Sequence, residues 1–208
     1  MRVLLVDDHA VVRQGYRRLL GEAYRGAQVS EAASAAEALA LVAADRWDLV
    51  IVDLNMPGRN GLETLKDIHA LDPQLPVLVA TMHNEAAYAV RAFKAGARGF
   101  ITKDSPPEDL YDAIQCIRGG NRYVPERFTD ALVAALSTGS AKGPHSLSDR
   151  EFQVLGLLGK GRSVGQIADE LGLSEKTVST YRSRLLEKLS LSNTAELMRF
   201  AIQHDIGG

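Results

Sequence analysis

Residues 49–53 read Leu-Val-Ile-Val-Asp, four consecutive apolar side chains that stop on a carboxylate. A run this short and this rich in Val and Ile reads as a strand buried on both faces of a parallel sheet. Three more runs repeat the design. VLLV at 3–6 ends on Asp7 and Asp8, VLVA at 77–80 on Thr81, and GFIT at 99–102 on Lys103. Parallel strands present their C-terminal ends along one edge, and open α/β sheets bind ligands there. Three carboxylates, a hydroxyl and an ammonium, distant in sequence, are therefore expected to converge. Crowded carboxylates call for a divalent cation. The ammonium and the hydroxyl suggest an anion that comes and goes.

Working outward, strands are expected near 2–6, 27–31, 48–52, 76–80 and 98–102, with helical patterns near 10–20, 35–44, 60–70, 85–95 and 107–118 between them. This alternation over residues 1–122 predicts an α/β flavodoxin-like domain: a five-stranded parallel sheet of order 2-1-3-4-5, with right-handed crossover helices on both faces. A short amphipathic helix at 125–138 and the small, polar stretch GSAKGPHS at 139–146 belong to a linker, residues 123–146. From 147 to 208 the strand signals stop. Helical patterns near 149–159, 164–171, 175–189 and 194–204 predict a separate all-α, four-helix domain. Ser148 and Glu151 have capping-box spacing, Gly172 stops the second of these helices, and Ser174 caps the third.

Composition narrows the function classes. Among 208 residues, 46% hydrophobic and 24% charged describe an ordinary globular chain. No apolar stretch approaches the roughly 20 residues of a membrane span, and the first strand starts within two residues of Met1. A cytoplasmic protein without a membrane partner is expected. The single cysteine, Cys116, excludes an internal disulfide or a cysteine zinc site and is expected in the core. The net charge of −2 announces no nucleic-acid partner, so any such interface must come from local placement.

At the strand ends, Asp7, Asp8 and Asp53 offer hard oxygen ligands suited to Mg²⁺, which takes one or two protein carboxylates and leaves positions for phosphoryl oxygens. Asp53 is the candidate nucleophile, since a carboxylate attacking phosphorus gives an acyl phosphate. Lys103 would neutralise the equatorial oxygens, and Thr81 could donate its hydroxyl to the new phosphoryl group. Taken singly, each of these residues reads as a helix cap or a solvated turn; their joint order at four strand ends is what points to chemistry. After Asp53 comes LNMPG, in which Met56 and Pro57 redirect the chain and Gly58 allows an unusual backbone angle. His9 is expected to start a helix, and Trp47 to pack.

VDDH, DLNMPGRNG, ATMH and GFITK closely resemble the receiver domain of two-component response regulators, over residues 1–122. The resemblance implies phosphoryl transfer onto Asp53 from a sensor histidine kinase or a small phosphodonor. It implies Mg²⁺ held by Asp8 and Asp53, with help from Asp7 and the Asn55 backbone carbonyl, and Lys103 paired with the phosphoryl group. Thr81 and Phe100 occupy the switch hydroxyl and switch aromatic positions. Phe100 lacks the phenolic hydroxyl of the Tyr that family members often carry.

In the second domain, QIADELGLSEKTVSTY reads helix, turn, helix. On the helix 175–189, Val178, Leu185 and Leu189 share one face with Tyr181 beside them and should bury. The opposite face carries Ser179, Thr180, Ser183 and Glu187, with Lys176 at its start and Arg184 at its flank. Arg182 falls towards the buried side. Residues 174–189 hold four basic and two acidic side chains. LSDREFQVLGLLGKG and IADELGLSEKTVSTYRSRLLEKL resemble the LuxR/NarL-type helix-turn-helix over 147–205. By that resemblance the helix 175–189 enters a major groove and 194–204 pairs two subunits. Ser179, Thr180 and Ser183 would face base edges, while Lys176, Thr177, Arg182, Arg184 and Lys188 would meet phosphates. Val164 and Gly165 stand where Asn-Lys is common, weakening the case for a phosphate contact from the preceding helix.

The resulting expectation is a DNA-binding transcriptional response regulator of the NarL/FixJ type, switched at Asp53, homodimeric when phosphorylated, and not an enzyme. Two rival readings are a Mg²⁺-dependent phosphohydrolase and a module whose helical half binds protein. The first would want an acid two residues after the nucleophile, where Asn55 stands. The second would leave Lys176 and Arg184 without a DNA role. A dinucleotide site is excluded, because no G-x-G-x-x-G follows any strand.

Overall fold

A computed structural model of the chain describes residues 1–56, 60–137, 147–204 and 206. The expected turn at Pro57 and Gly58 and the linker stretch 139–146 lie outside the described residues. Two compact units form, with the main division between Thr129 and Asp130.

The first unit holds strands β1 (Arg2–Val6), β2 (Gln28–Ala32), β3 (Leu49–Val52), β4 (Val77–Thr81) and β5 (Gly99–Thr102) in one parallel sheet of order β2-β1-β3-β4-β5. Helices α1 (Ala10–Ala23), α2 (Ala35–Ala44), α3 (Gly61–Leu71), α4 (Ala86–Lys94) and α5 (Pro107–Arg118) alternate with the strands. The apolar runs fill β3, β4 and β5 with buried residues throughout, whereas edge strand β2, QVSEA, stays half-exposed. Because side chains alternate along a strand, Val3, Leu5, Leu49, Ile51, Leu78, Ala80 and Ile101 share one face. There they pack with Leu20 of α1 and with Leu110, Ala113, Ile114 and Ile117 of α5. Cys116, expected in the core, is only half-buried: it lies next to Ile117 but falls off the apolar stripe of α5.

Register places the strand ends side by side. Val6 pairs with Val52, and Thr81 with Thr102, so Asp7, Asp53, Thr81 and Lys103 follow one another along the same sheet edge. The chain after α5 continues this sheet. Tyr123 forms a parallel bridge with Gly99, Phe100 N–H donates to the Tyr123 carbonyl at 3.3 Å, and Tyr123 N–H donates to the Arg98 carbonyl at 3.0 Å. Helix α6 (Glu126–Ser137) then begins with Arg127 donating to Thr102 Oγ1 at 2.7 Å and with the Phe128 ring edge-on to Phe100 at 5.4 Å. So the first residues of the expected linker are part of the first unit.

The second unit contains α7 (Asp149–Gly159), α8 (Val164–Leu171), α9 (Glu175–Leu189) and α10 (Thr194–Gln203). Both ends of α8 are chemically fixed. Ser163 and Gln166 form a capping box, and Gly172 takes the left-handed conformation (φ 62°) that closes the helix and turns the chain into α9. Ser174 caps α9 by accepting from Thr177 N–H at 3.1 Å. At the far end Ser190, the only non-glycine described residue with positive φ (56°), closes α9 in the same conformation. Gly159 lets α7 approach α10, since a β-carbon there would lie 2.8 Å from Ala201 Cβ.

Glu151 ties two of these helices. Its carboxylate accepts from the Ser148 amide at 2.8 Å and from Lys188 Nζ of α9 at 2.7 Å. Burial pushes the carboxyl up, but the Lys188 ammonium and the Ser148 donors outweigh it, and the net shift is downward. A carboxyl lowered by folding contributes stability above its unfolded pKa and loses it as pH falls through the folded value. Glu151→Gln keeps a capping oxygen and loses the charge. It is expected to cost about 0.5–1 kcal/mol at pH 7, Lys188 being partly exposed. That cost should vanish between roughly pH 5 and 3, as urea midpoints across that range will show.

Among the described residues, no helix is long and apolar enough to cross a membrane.

Candidate functional site

Strand β1 delivers Asp7 and Asp8, and β3 delivers Asp53. Hydrogen bonds across the sheet hold their backbones: Asp7 N–H donates to the Ala32 carbonyl at 3.1 Å and Asp53 N–H to the Val6 carbonyl at 2.9 Å. Lys103, one residue beyond β5, completes the cluster. Its Nζ lies 2.6 Å from Asp7 Oδ2 and 2.6 Å from Asp53 Oδ2, and the side chain is 7% exposed. Lys103 N–H donates to the Thr81 carbonyl at 2.8 Å, which locks β5 to β4 just where both enter the site. Thr81 is fully buried, its Oγ1 accepting from His83 N–H at 3.4 Å.

The electrostatics follow from three carboxylates around one ammonium. Burial pushes the Asp53 carboxyl up from its ordinary value and Lys103 draws it back, but the net direction is upward. Burial pulls the Lys103 ammonium down, yet contact with Asp53 and Asp7 outweighs it, so Lys103 stays firmly protonated. The cluster keeps an excess of negative charge. Two of its oxygens, Asp8 Oδ1 and Asp53 Oδ1, are buried without a hydrogen-bond partner. Ligand atoms of Asp7, Asp8, His9 and Asp53 lie within 4.8 Å of one another. Unsatisfied hard oxygens in a negative pocket fit a small divalent cation such as Mg²⁺.

His9 sits at the N-cap of α1 as expected, but makes no side-chain cap. Its exposed ring turns to the acids instead. Nδ1 lies 2.9 Å from Asp8 Oδ1, close enough for an ion pair but without the alignment of a hydrogen bond. Asn55 places Oδ1 2.7 Å from His83 Nε2, and the His83 ring stacks on Tyr88 at 3.7 Å. Phe100 is fully buried. The contacts of Asn55 with His83 and of Phe100 with Phe128 join residues 28 apart in sequence, and no spacing pattern signals them.

In α9, Val178 and Leu185 are buried and Tyr181 and Arg182 half-buried. Leu189, expected to bury, is only half-buried because it is the last residue of the helix. Lys176, Thr180, Ser183 and Arg184 are exposed together, while Ser179 is half-buried at the margin of that face. The hydroxyls are engaged within the helix. Thr180 donates to the Lys176 carbonyl at 2.9 Å and Ser183 to the Ser179 carbonyl at 3.0 Å. Thr177 belongs to the cap, with its hydroxyl 2.8 Å from Ser174 Oγ. Of the four basic residues, Lys188 is held by Glu151.

Residues 3–115 match the response regulator receiver domain, and residues 145–201 match the bacterial regulatory proteins of the luxR family. The chain belongs to the response regulators.

Similarity to other response regulators runs the whole length. Response regulator UvrY of Escherichia coli K12 is 33% identical over 99% of this chain and 95% of its own. The DNA-binding transcriptional activator DevR/DosR of Mycobacterium tuberculosis is 38% identical over 98% of this chain and 94% of its own. The structure of RcsB from Salmonella enterica serovar Typhimurium, bound to promoter rprA in the presence of the phosphomimetic BeF3−, superposes with a TM-score of 0.64. It is 29% identical, over 96% of this chain and 98% of that one. This transcriptional response regulator thus joins a receiver domain to a LuxR-type DNA-binding domain.

Proposed function

We propose that this response regulator is phosphorylated on Asp53 by a sensor histidine kinase in the cytoplasm, and that the modified form binds DNA as a homodimer. Domain limits of 1–122 for the receiver, 123–146 for the linker and 147–208 for the DNA-binding part go with this reading, the first linker residues being packed on the receiver sheet. The observation that carries it is the Asp7–Lys103–Asp53 contact at the sheet edge, with unsatisfied oxygens on Asp8 and Asp53 beside it.

An Asp53 oxygen attacks phosphorus as the bond from phosphorus to the donor imidazole nitrogen breaks. The carboxylate becomes an acyl phosphate, and the departing imidazole takes up a proton. Lys103, already in contact with Asp53, neutralises charge on the transferred group. Asp8 and Asp53, aided by Asp7 and the Asn55 carbonyl, would hold Mg²⁺, which supplies further charge neutralisation. Thr81 donates its hydroxyl to the phosphoryl group, a bond available only in the modified state, and Phe100 responds to that shift. Phe100 packs against Phe128 at the start of α6, the helix that leads in sequence to the DNA-binding domain. Asn55 stands two residues after Asp53, where a phosphohydrolase would place its second acid. That supports a switch rather than a site with steady turnover.

In the DNA-binding part, α9 is the recognition helix and α10 the pairing helix. Ser179, Thr180 and Ser183 face base edges, and Lys176, Thr177, Arg182, Arg184 and Lys188 meet phosphates. Thr180 and Ser183 must exchange their intrahelical bonds for contacts with bases, so base readout is modest and phosphate contact and DNA shape weigh more. Lys176→Ala with Arg184→Ala is expected to weaken DNA binding. The slope of log affinity against log salt should flatten by about 0.9 for each phosphate that is no longer neutralised. Unchanged affinity at every salt concentration would favour a protein-binding helical half. The whole reading is tested by genome-wide occupancy of the unsubstituted chain and of Asp53→Asn. Sites present only with Asp53 are expected, and identical occupancy would overturn the switch.

A further inference from the structure

Arg13 lies one turn into α1 and is absent from every motif of the sequence. It reaches back to the end of β1. Its Nη1 donates to the Asp7 backbone carbonyl at 2.6 Å, and its Nε to Glu31 Oε2 at 2.9 Å. The side chain is 13% exposed. Glu31, on edge strand β2, is held in turn by Arg17 Nε at 2.9 Å on its other oxygen. Glu31 therefore anchors Arg13 from the neighbouring strand, and the planar guanidinium spans carboxylate and carbonyl at once, a task a lysine ammonium on its flexible stem performs poorly.

The Asp7–Asp8 turn is consequently fixed at four points. Asp7 N–H donates to the Ala32 carbonyl, the Asp7 carbonyl accepts from Arg13, Asp7 Oδ1 accepts from His9 N–H at 2.9 Å, and Oδ2 contacts Lys103. Asp8 leaves this turn with an unsatisfied buried oxygen. The peptide between Asp7 and Asp8 begins with the carbonyl that Arg13 holds, so the guanidinium sets the direction in which Asp8 departs. We infer that Arg13, anchored by Glu31, is a positioning residue for the divalent-cation site and sets its affinity through the Asp7 carbonyl. This rests on the cation reading of Asp7, Asp8 and Asp53 given above.

Charge and position act in opposite directions here, which makes the role separable. A cationic side chain near three carboxylates repels a metal ion, so loss of its charge alone tightens binding. Loss of the clamp loosens the turn and weakens binding. Supporting partners of ligating groups typically change metal affinity by about 10–100-fold. The test is calorimetric titration of the full-length chain with Mg²⁺, and Mn²⁺ binding by electron paramagnetic resonance, without any phosphodonor. Arg13→Lys and Arg13→Met are both expected to weaken binding by about tenfold or more. Glu31→Gln, which leaves the guanidinium in place but loosens its anchor, should give a smaller loss. Asp53→Asn should remove most of the binding.

Arg13→Met binding as tightly as the unsubstituted chain, or more tightly, with Asp53→Asn still defective, would overturn the role of Arg13 and leave the cation site standing. Failure of the unsubstituted chain to bind millimolar Mg²⁺ would overturn both. Should Arg13→Met fail to fold, Arg13→Lys and Glu31→Gln decide the matter.

Discussion

Asp53→Asn is expected to reduce labelling by radioactive acetyl phosphate with Mg²⁺ to background. An amide is no nucleophile towards phosphorus under these conditions, and among the described residues Asp7 alone shares with Asp53 an ion pair to Lys103. The variant should still fold. Lys103 retains Asp7 as its partner, and removing one of the crowded buried carboxylates relieves repulsion, so stability is expected to stay within about 1 kcal/mol or to rise. Persistent labelling with Asn at position 53 would move the phosphoacceptor elsewhere, Asp7 and Asp8 being the first residues to map. The substitution therefore separates chemistry from folding, as required before any loss of DNA occupancy is read as loss of the switch.

Gly61→Ala is expected to do the opposite, damaging the fold and the site together. A β-carbon on Gly61 would collide with the Asp53 carbonyl oxygen and with Leu54 Cα. Both obstacles are backbone, so no rotamer change relieves the clash. Either α3 moves away from the end of β3 or the Asp53 loop shifts. A cost of about 3 kcal/mol or more in urea unfolding follows, together with slowed labelling of Asp53 in the molecules that remain folded. Gly15→Ala is the matched control. It stands in α1 with nothing within 4 Å of its would-be β-carbon, and should gain up to about 1 kcal/mol from helix propensity. Equal midpoints for the two variants would show that the close approach of α3 to Asp53 is not needed.

The contrast between these two glycines shows where a sequence reading stops. Both are single glycines in or at a helical pattern; Gly61 closes the DLNMPGRNG motif, but the motif does not say that α3 presses on the Asp53 backbone there. One is held against the phosphoacceptor by the sheet, and the other faces open space. The same limit applies to Arg13 and Glu31. Each reads as an ordinary charge on an amphipathic element, and their contact depends on β2 lying beside β1 with Leu5 opposite Glu31. The Ser163–Gln166 capping box is a different case. Its S-x-x-Q spacing was legible and is a local signal, like Ser148–Glu151, which the spacing did reveal.

The sheet, its order and the convergence of Asp7, Asp8, Asp53, Thr81 and Lys103 were already legible in the amino-acid sequence. The reason is that buried parallel strands are continuous apolar runs, and their ends must meet along one edge. The helix-turn-helix was legible through caps, Gly172 and a 3.6-residue apolar stripe, all of which are short-range. How the site is held comes from packing between distant segments. Lys103 bridging two carboxylates, Arg13 gripping the Asp7 carbonyl, Phe128 seated on Phe100 and Lys188 tied to Glu151 are all pairings between distant segments. Their partners are set by register and helix packing, which follow from the whole core rather than from the residues that touch.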